Sequence, residues 1–185
     1  MLVPRWRSAD ISTAGLVGFW RFNEGAGATA LSETGTNPGD LVNSPSWVAG
    51  KTGTALSFNG TSQYVNVPFH SSLDFTGDTV SLMAWINATV TTGRYGNIVV
   101  LPSNESTWTE KYNLQLNFDN FYFIVDTGTE SAMVFSFTTT GSWVHVAGVY
   151  NGTDMRLYIN GSLVGTPVSK TGNLRSRVDG DLCIG

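Results

Sequence analysis

The sequence has little charge, a single cysteine and two histidines, and these scarcities exclude several classes of protein. Cys183 has no second cysteine to pair with, so a disulfide framework is excluded. Charged residues make up 13% of the chain, the formal net charge is −4, and no basic run occurs, so nothing in the sequence recruits nucleic acid. No stretch approaches the roughly 18–20 consecutive apolar residues of a membrane span.

Asn-Gly pairs mark three turns, at Asn59-Gly60, Asn151-Gly152 and Asn160-Gly161. Between alternating apolar runs this pair indicates a β-hairpin, because both residues tolerate the positive φ of a type I′ turn. The sequence therefore predicts a hairpin at each pair, and the last two hairpins together predict an antiparallel meander.

Alternation of apolar and polar residues predicts about a dozen strands. They are expected at 16–22, 55–58, 64–67, 79–86, 97–101, 112–118, 121–125, 132–137, 143–150, 155–159 and 162–165. No helical stripe of useful length appears. Residues 1–15 are expected to form an N-terminal arm or linker, and residues 16–185 one all-β domain of two packed antiparallel sheets.

Several segments occur in an order and spacing that resemble a known family. They are residues 15–29, 47–60, 64–68, 72–86, 143–153, 156–164 and 182–185. Together they resemble the LamG-like jelly-roll domain of the concanavalin A-like lectin/glucanase superfamily. The resemblance implies a two-sheet jelly-roll sandwich that serves secreted and surface proteins as an accessory domain and binds glycans or proteins.

Two functions follow as expectations from this resemblance. The first is a non-catalytic extracellular module that recognises carbohydrate. The alternative is a structural or interaction domain of a cell-surface, filament or virion assembly.

The end of the sequence departs from the family pattern. Members of the family usually continue past the Ile-Gly pair into a final strand, whereas this sequence stops at Gly185. We therefore expect a jelly roll that lacks its last strand and has an open sheet edge. Such an edge is normally protected, so the N-terminal arm or a neighbouring molecule is expected to pair with it, which would allow self-association.

A calcium site is a second point of comparison with the family, whose members often bind Ca²⁺ in a loop after the first strand. The corresponding stretch here is 32–40, where Glu33, Asn37 and Asp40 offer oxygen ligands. Ca²⁺ takes six to eight oxygens, several of them anionic, so these side chains would need help from backbone carbonyls. The alternative is a solvated loop.

Catalytic carboxylates are not apparent. Glucanases of the superfamily carry a Glu-Xaa-Asp-Xaa-Glu strand, and neither Glu-Xaa-Asp nor Asp-Xaa-Glu occurs in this sequence. A glycosidase would require Glu105 and Glu110 to converge across a cleft. His145 is expected to have a packed structural role, and His70 has no partner at metal-ligand spacing. We expect no enzymatic activity.

One region combines aromatic and amide side chains in the way that sugar sites do. The strand 112–118 places three amides on one face, opposite its leucines, so that face is expected to be exposed or to line a wet groove. The predicted ligand-binding residues are Arg94, Tyr95, Asn97, Trp108, Tyr112, Asn113, Gln115 and Asn117. The alternative is an ordinary hydrated outer sheet. The tryptophans expected in the core are Trp20, Trp47, Trp85 and Trp143.

Overall fold

The computed structural model describes residues 14–89, 95–102, 110–176 and 180–185. These residues form fourteen β-strands and, between β5 and β6, a short 3₁₀ helix at Ser71–Leu73. The strands are β1 Thr29–Ala30, β2 Gly39–Val42, β3 Ser46–Ala49, β4 Thr54–Ser57, β5 Tyr64–Val67, β6 Val80–Ile86, β7 Tyr95–Pro102, β8 Glu110–Asn117, β9 Asn120–Asp126, β10 Glu130–Ser136, β11 Val144–Tyr150, β12 Asp154–Ile159, β13 Ser162–Ser169 and β14 Leu182–Ile184. The predicted all-β architecture is confirmed. No described segment is a helix long and apolar enough to cross a membrane.

The larger sheet has eight strands in the order β1-β2-β5-β14-β7-β8-β9-β10, and every neighbouring pair is antiparallel. Strands β7 to β10 form a continuous meander on one side of this sheet. Strand β14 lies in the middle, between β5 and β7, where Cys183 is opposite Asn66 on one side and Val100 on the other. The last described segment of the chain is therefore an interior strand.

The smaller sheet has four strands in the order β13-β12-β11-β6. Asn160 and Gly161 both have positive φ, at 50° and 80°, and join Ile159 to Ser162 in the two-residue turn that was predicted. At Asn151-Gly152 the hairpin is also present, but its loop has four residues, between Tyr150 and Met155. There the Asn151 side chain accepts hydrogen bonds from the backbone N–H groups of residues 153 and 154, at 3.0 and 2.8 Å.

The predicted hairpin at Asn59-Gly60 is wrong. Strand β4 pairs with β3 in a separate two-stranded sheet, whereas β5 pairs with β2 and β14 in the larger sheet. The Asn59 side-chain oxygen accepts three backbone N–H bonds from residues 61–63, at 2.9–3.2 Å. These bonds stabilise a wide turn that leads the chain from one sheet to another instead of back alongside itself.

The predicted first strand, 16–22, forms only an isolated antiparallel bridge between Trp20 and Ser32. Side chains hold its backbone instead: Asn37 donates to the Val17 carbonyl at 2.9 Å, and Thr54 donates to the Phe22 carbonyl at 2.6 Å. This segment contributes apolar side chains to the core without joining a sheet.

The core lies between the inner faces of the two main sheets. The larger sheet contributes buried residues such as Leu114, Phe121 and Phe123, and the smaller sheet contributes Val146 and Leu157. Burial of this apolar area supplies most of the favourable free energy of folding.

The four tryptophans expected in the core differ in their surroundings. Trp20 packs against the core and donates its indole N–H to the Asn37 carbonyl at 2.9 Å. Trp47 and Trp143 are half-buried. Trp85 contradicts the prediction, since it is 49% exposed on the outer face of the smaller sheet. The alternation of β6 sends Val80 and Leu82 inward and therefore directs Trp85 outward.

Candidate functional site

The predicted amide strand is β8, and its alternation is as expected. Tyr112 and Leu114 face the core, whereas Asn113, Gln115 and Asn117 share the outer face of the larger sheet. On the neighbouring strand β7, Asn97 lies directly opposite Gln115. We call Asn97, Asn113, Gln115 and Asn117 the amide row.

Hydrogen bonds connect three members of the amide row. The Asn113 Nδ2 donates to Asn97 Oδ1 at 2.8 Å and to Gln115 Oε1 at 3.2 Å. Asn113 is fully buried and Gln115 is 4% exposed, so the expectation of an exposed or wet face is wrong for these two. Asn97 and Asn117 are half-buried. The Oδ1 atoms of Asn113 and Asn117 are buried and accept no hydrogen bond from any described residue, so within the described part of the chain the row keeps unused acceptors.

Tyr95 reaches across the amide row to Glu110. The Tyr95 hydroxyl donates to Glu110 Oε1 at 3.2 Å, although Tyr95 is opposite Asn117 at the other end of β8. The two side chains therefore extend toward each other along the strands, where Tyr95 also meets Gln115 and Glu110 also meets Asn113. The Tyr95 ring itself remains 55% exposed.

The two bonded groups have perturbed acidities. Burial, followed by the charge of Glu110, raises the pKa of Tyr95 to about 12. Burial also raises the pKa of Glu110, while hydrogen bonds from Asn113 and Tyr95 oppose this shift. The backbone N–H of Glu110 donates to the Glu130 carboxylate at 3.2 Å, so a second acidic group lies beside the first. This end of the amide row is acidic.

Two further aromatic residues lie near the accessible end of the row, and sequence reasoning missed both. Tyr122 on β9 is opposite Gln115 and is half-buried. Phe118, in the turn between β8 and β9, is 61% exposed. The signal for Tyr122 was present in the sequence: Phe121 and Phe123 face the core, so the residue between them faces outward.

One of the predicted ligand residues, Tyr112, does not join this surface. Tyr112 lies on the opposite face, in the core, where its hydroxyl donates to the Leu73 carbonyl at 2.9 Å. Its assignment as a ligand residue ignored the alternation that separates it from Asn113. Arg94 and Trp108 lie outside the described residues, as does Glu105, so the convergence of Glu105 with Glu110 is not tested.

The histidines have local structural partners. His70 Nδ1 accepts the Ser72 N–H at 3.2 Å and contacts the Ser72 hydroxyl at 2.8 Å, so it caps the 3₁₀ helix. His145 packs against Trp85, with 5.3 Å between ring centroids. Within the described ranges we find no Asp or Glu hydrogen-bonded to either ring, as a catalytic triad would require.

The three predicted calcium ligands have different surroundings. The Glu33 carboxylate lies 3.4 Å from the Arg21 guanidinium. Asn37 is buried and uses its Nδ2 to hold Val17 and Ser72, but its Oδ1 is buried and has no partner among the residues that the structure describes. Asp40 is exposed on β2. The described part of the chain contains no cluster of three or more His, Cys, Asp or Glu residues that could bind a metal ion. The buried Asn37 Oδ1 fits a calcium ligand, whereas Glu33 would first have to leave Arg21.

Comparison with known protein families identifies a family that this sequence matches. A laminin G-type family model of the concanavalin A-like lectin/glucanases superfamily matches residues 59–185. Among curated proteins, none matches the sequence.

Solved structures share the fold at low sequence identity. The botulinum neurotoxin serotype G binding domain superposes with a TM-score of 0.67 at 9% identity, over 84% of this chain and 40% of that one. The binding domain of Paraclostridial Mosquitocidal Protein 1 gives a TM-score of 0.64 at 16% identity, over 91% of this chain and 43% of that one. Domain 4 of AbnA, an extracellular arabinanase from Geobacillus stearothermophilus solved with arabinotriose, gives 0.55 at 17% identity, over 83% and 76%. The chain therefore spans about 40% of the length of the toxin domains that it matches.

Proposed function

We propose a function from one premise: this chain belongs to the concanavalin A-like lectin/glucanases superfamily. The proposed function is that of a non-catalytic module that binds carbohydrate outside the cell or at its surface. The observation that carries the proposal is the amide row with Tyr95 and Tyr122 beside it on one sheet face. The arabinotriose bound to the arabinanase domain is consistent with such a role for this fold.

The chemistry of the face suits a neutral sugar. Amide groups donate to and accept from hydroxyls, and tyrosine rings pack on the apolar CH faces of pyranoses. Because Asn113 and Gln115 are buried, the sugar would contact Tyr95, Asn97 and Asn117, with the buried pair holding Asn97 in place. Glu110 and Glu130 make the adjoining end acidic, which disfavours an anionic ligand there.

A glycan array followed by calorimetry on the best neutral ligand tests this function. The wild-type chain should bind at least one glycan. Tyr95→Ala and Asn97→Ala should each weaken that binding about tenfold or more, because each removes a direct contact. Leu31→Ala is the matched control, since Leu31 is 61% exposed and far in sequence from this face. An array without any bound glycan would overturn the proposal, and equal affinity of Tyr95→Ala would move the site elsewhere.

A second candidate function, an interaction domain, is favoured by one specific observation. Strand β6 has seven residues and, within the described ranges, pairs on one side only, with β11. An unpaired strand edge is a template for another strand. On this proposal a second copy of the chain, or a surface protein, adds a strand at β6.

Light scattering over a range of protein concentrations tests whether copies of the chain associate through β6. Self-association should be lost in Met83→Lys, because a lysine on an edge strand disfavours edge-to-edge pairing. Met83 is 64% exposed, so the substitution leaves the core intact. Leu163→Lys on β13, at the other edge of the same sheet, is the control. A wild-type chain that remains monomeric at high concentration would exclude self-association through β6.

Calcium remains a proposal for the loop that contains Glu33, Asn37 and Asp40. Its support is the buried and unpartnered Asn37 Oδ1. If the ion binds there, adding Ca²⁺ raises the melting temperature of the wild type because a ligand of the folded state stabilises it. Asn37→Ala and Glu33→Gln should remove that increase. An identical melting temperature in Ca²⁺ and in chelator would exclude the site.

A further inference from the structure

The outer face of the smaller sheet carries side chains that the proposed function does not use. Register places Trp85 of β6 opposite His145 of β11. In the next row, Met83 is opposite Ala147, Ala147 is opposite Tyr158, and Tyr158 is opposite Leu163. We call this surface, with Met83, Trp85, His145, Tyr158 and Leu163, the Trp85 face.

The Trp85 face is apolar and open. Met83 is 64% exposed, Trp85 49% and Leu163 48%, and the row that starts at Met83 crosses all four strands. Ala147 in that row is only 7% exposed, so the exposed apolar side chains are Met83 and Trp85 on β6 and Leu163 on β13. Single exposed apolar residues are ordinary, but an exposed pair on one strand face that includes a tryptophan indicates an interaction surface. No helix among the described residues forms a groove beside this face, and an open sheet surface suits a ligand ring that stacks on a side chain more than a peptide helix.

The Trp85 indole is held from two directions. The His145 ring meets it edge-on, with an interplanar angle of 64°. The Lys51 ammonium lies 5.1 Å from the indole centroid, from the tip of the hairpin between β3 and β4. Such contacts fix the orientation of an exposed ring before any ligand arrives, which lowers the entropic cost of stacking on it.

The charge of this face is positive. The four strands contain one acidic residue, Asp154, and the Arg156 guanidinium already neutralises it at 2.7 Å. Lys51 has no carboxylate partner among the described residues, whereas the chain as a whole carries a net charge of −4. A cation beside an exposed indole therefore remains available to an anionic group.

We infer that the Trp85 face binds an acidic saccharide, one whose pyranose ring carries a carboxylate. The apolar CH face of the sugar stacks on Trp85 beside Met83, and its carboxylate pairs with Lys51. His145 and Tyr158 are within the same two rows and offer hydrogen bonds to the hydroxyls. The inference rests on the proposed carbohydrate-binding function. It adds a second site, which prefers an anionic sugar, to the amide row, which prefers a neutral one.

Binding to a panel of uronate oligosaccharides tests the inference. The probes are oligogalacturonate, oligoalginate and hyaluronan fragments, each measured by calorimetry beside its carboxyl-reduced form. At least one acidic form should bind, and more weakly at high salt, since an exposed ion pair is screened. Lys51→Met should weaken binding of that form about tenfold and binding of the reduced form much less, because the reduced form loses only the help of Lys51 in orienting Trp85. Trp85→Ala should weaken both forms.

Two controls separate this inference from the proposed function. Tyr95→Ala and Leu31→Ala should bind the acidic sugar as the wild type does, and unchanged melting temperatures should show that the surface variants fold. If a neutral glycan binds through Tyr95 but no uronate binds, the Trp85 site is excluded and the proposed function stands. If Lys51→Met and Trp85→Ala both bind the acidic sugar as tightly as the wild type does, the site is also excluded. If no glycan of either kind binds, both proposals fail.

Discussion

Phe123 of β9 packs directly on Gly148 of β11, so that a Cβ atom at position 148 would overlap the phenyl ring. This contact joins the two main sheets between β9, next to the β10 edge of the larger sheet, and β11, an interior strand of the smaller sheet. Glycine is required here for close approach, not for an unusual φ. Because Gly148 has no side chain, the Phe123 ring lies close to its Cα atom, and this contact sets the local distance between the sheets.

Gly148→Ala should destabilise the fold by about 1–3 kcal/mol, because the added methyl group overpacks the core. The penalty should be smaller in a Phe123→Leu background, whose shorter side chain leaves room for the methyl group. Urea unfolding of the two single variants and the double variant measures this coupling. Strictly additive free energies would show that Phe123 is not what Gly148 accommodates.

Glu110→Gln should reveal a pH-dependent cost of burying a carboxylate. Burial raises the pKa of Glu110 above its ordinary value of 4.5, so the folded state holds the proton more tightly than the unfolded state. Wild-type stability therefore falls as pH rises from 4.5 through the folded pKa, and this loss should be absent in Glu110→Gln. Urea unfolding of both chains from about pH 4 to pH 8 measures the difference.

The Tyr95 hydroxyl supplies a control for the Glu110 experiment. Its hydrogen bond lowers the pKa of Glu110, so Tyr95→Phe should move the pH window upward while keeping the ring. A stability difference between wild type and Glu110→Gln that is the same at every pH would contradict the burial of this carboxyl group.

Gly161→Ala should cost about 1–2 kcal/mol, since φ at this position is 80° and an L-residue is strained there. Gly77→Ala is a matched control, because its φ is not in that region and an added Cβ would meet no atom within 4 Å. Thermal or urea unfolding of the two variants compares them. Equal stability would mean that the turn between β12 and β13 relaxes to another type.

Tyr112→Phe should destabilise the fold by about 1–2 kcal/mol, because the buried Leu73 carbonyl loses its donor. Tyr64→Phe is the comparison, since Tyr64 is half-buried and its hydroxyl makes no hydrogen bond to a described residue. Glycan affinity of Tyr112→Phe should equal that of the wild type. A loss of affinity with unchanged stability would restore Tyr112 to the binding site against its position in the core.

The family and the all-β architecture were predictable because both depend on local patterns. Alternation with a period of two identifies which side chains share a face, and it correctly grouped Asn113, Gln115 and Asn117 opposite Leu114. The Asn160-Gly161 turn was predictable for the same reason, since two adjacent residues carry the whole conformational requirement.

Predictions that depended on distant partners were less reliable. Asn59-Gly60 looks like a hairpin, but the partners of β4 and β5 lie elsewhere in the chain, in β3 and in β2 and β14. The interior position of β14 also depends on strands more than 80 residues away in sequence. Pairing between segments so far apart cannot be inferred from the residues within a short stretch of sequence.

The sequence by itself determined the strand content, the alternation of inward and outward side chains and the family of this protein, because each depends on the order of neighbouring residues. Only the tertiary structure decided which outward faces are covered. Both Trp85 and Asn113 point away from the core along their own strands, yet Trp85 is 49% exposed and Asn113 is fully buried. Burial is set by what packs above a face, and that is a property of the assembled chain.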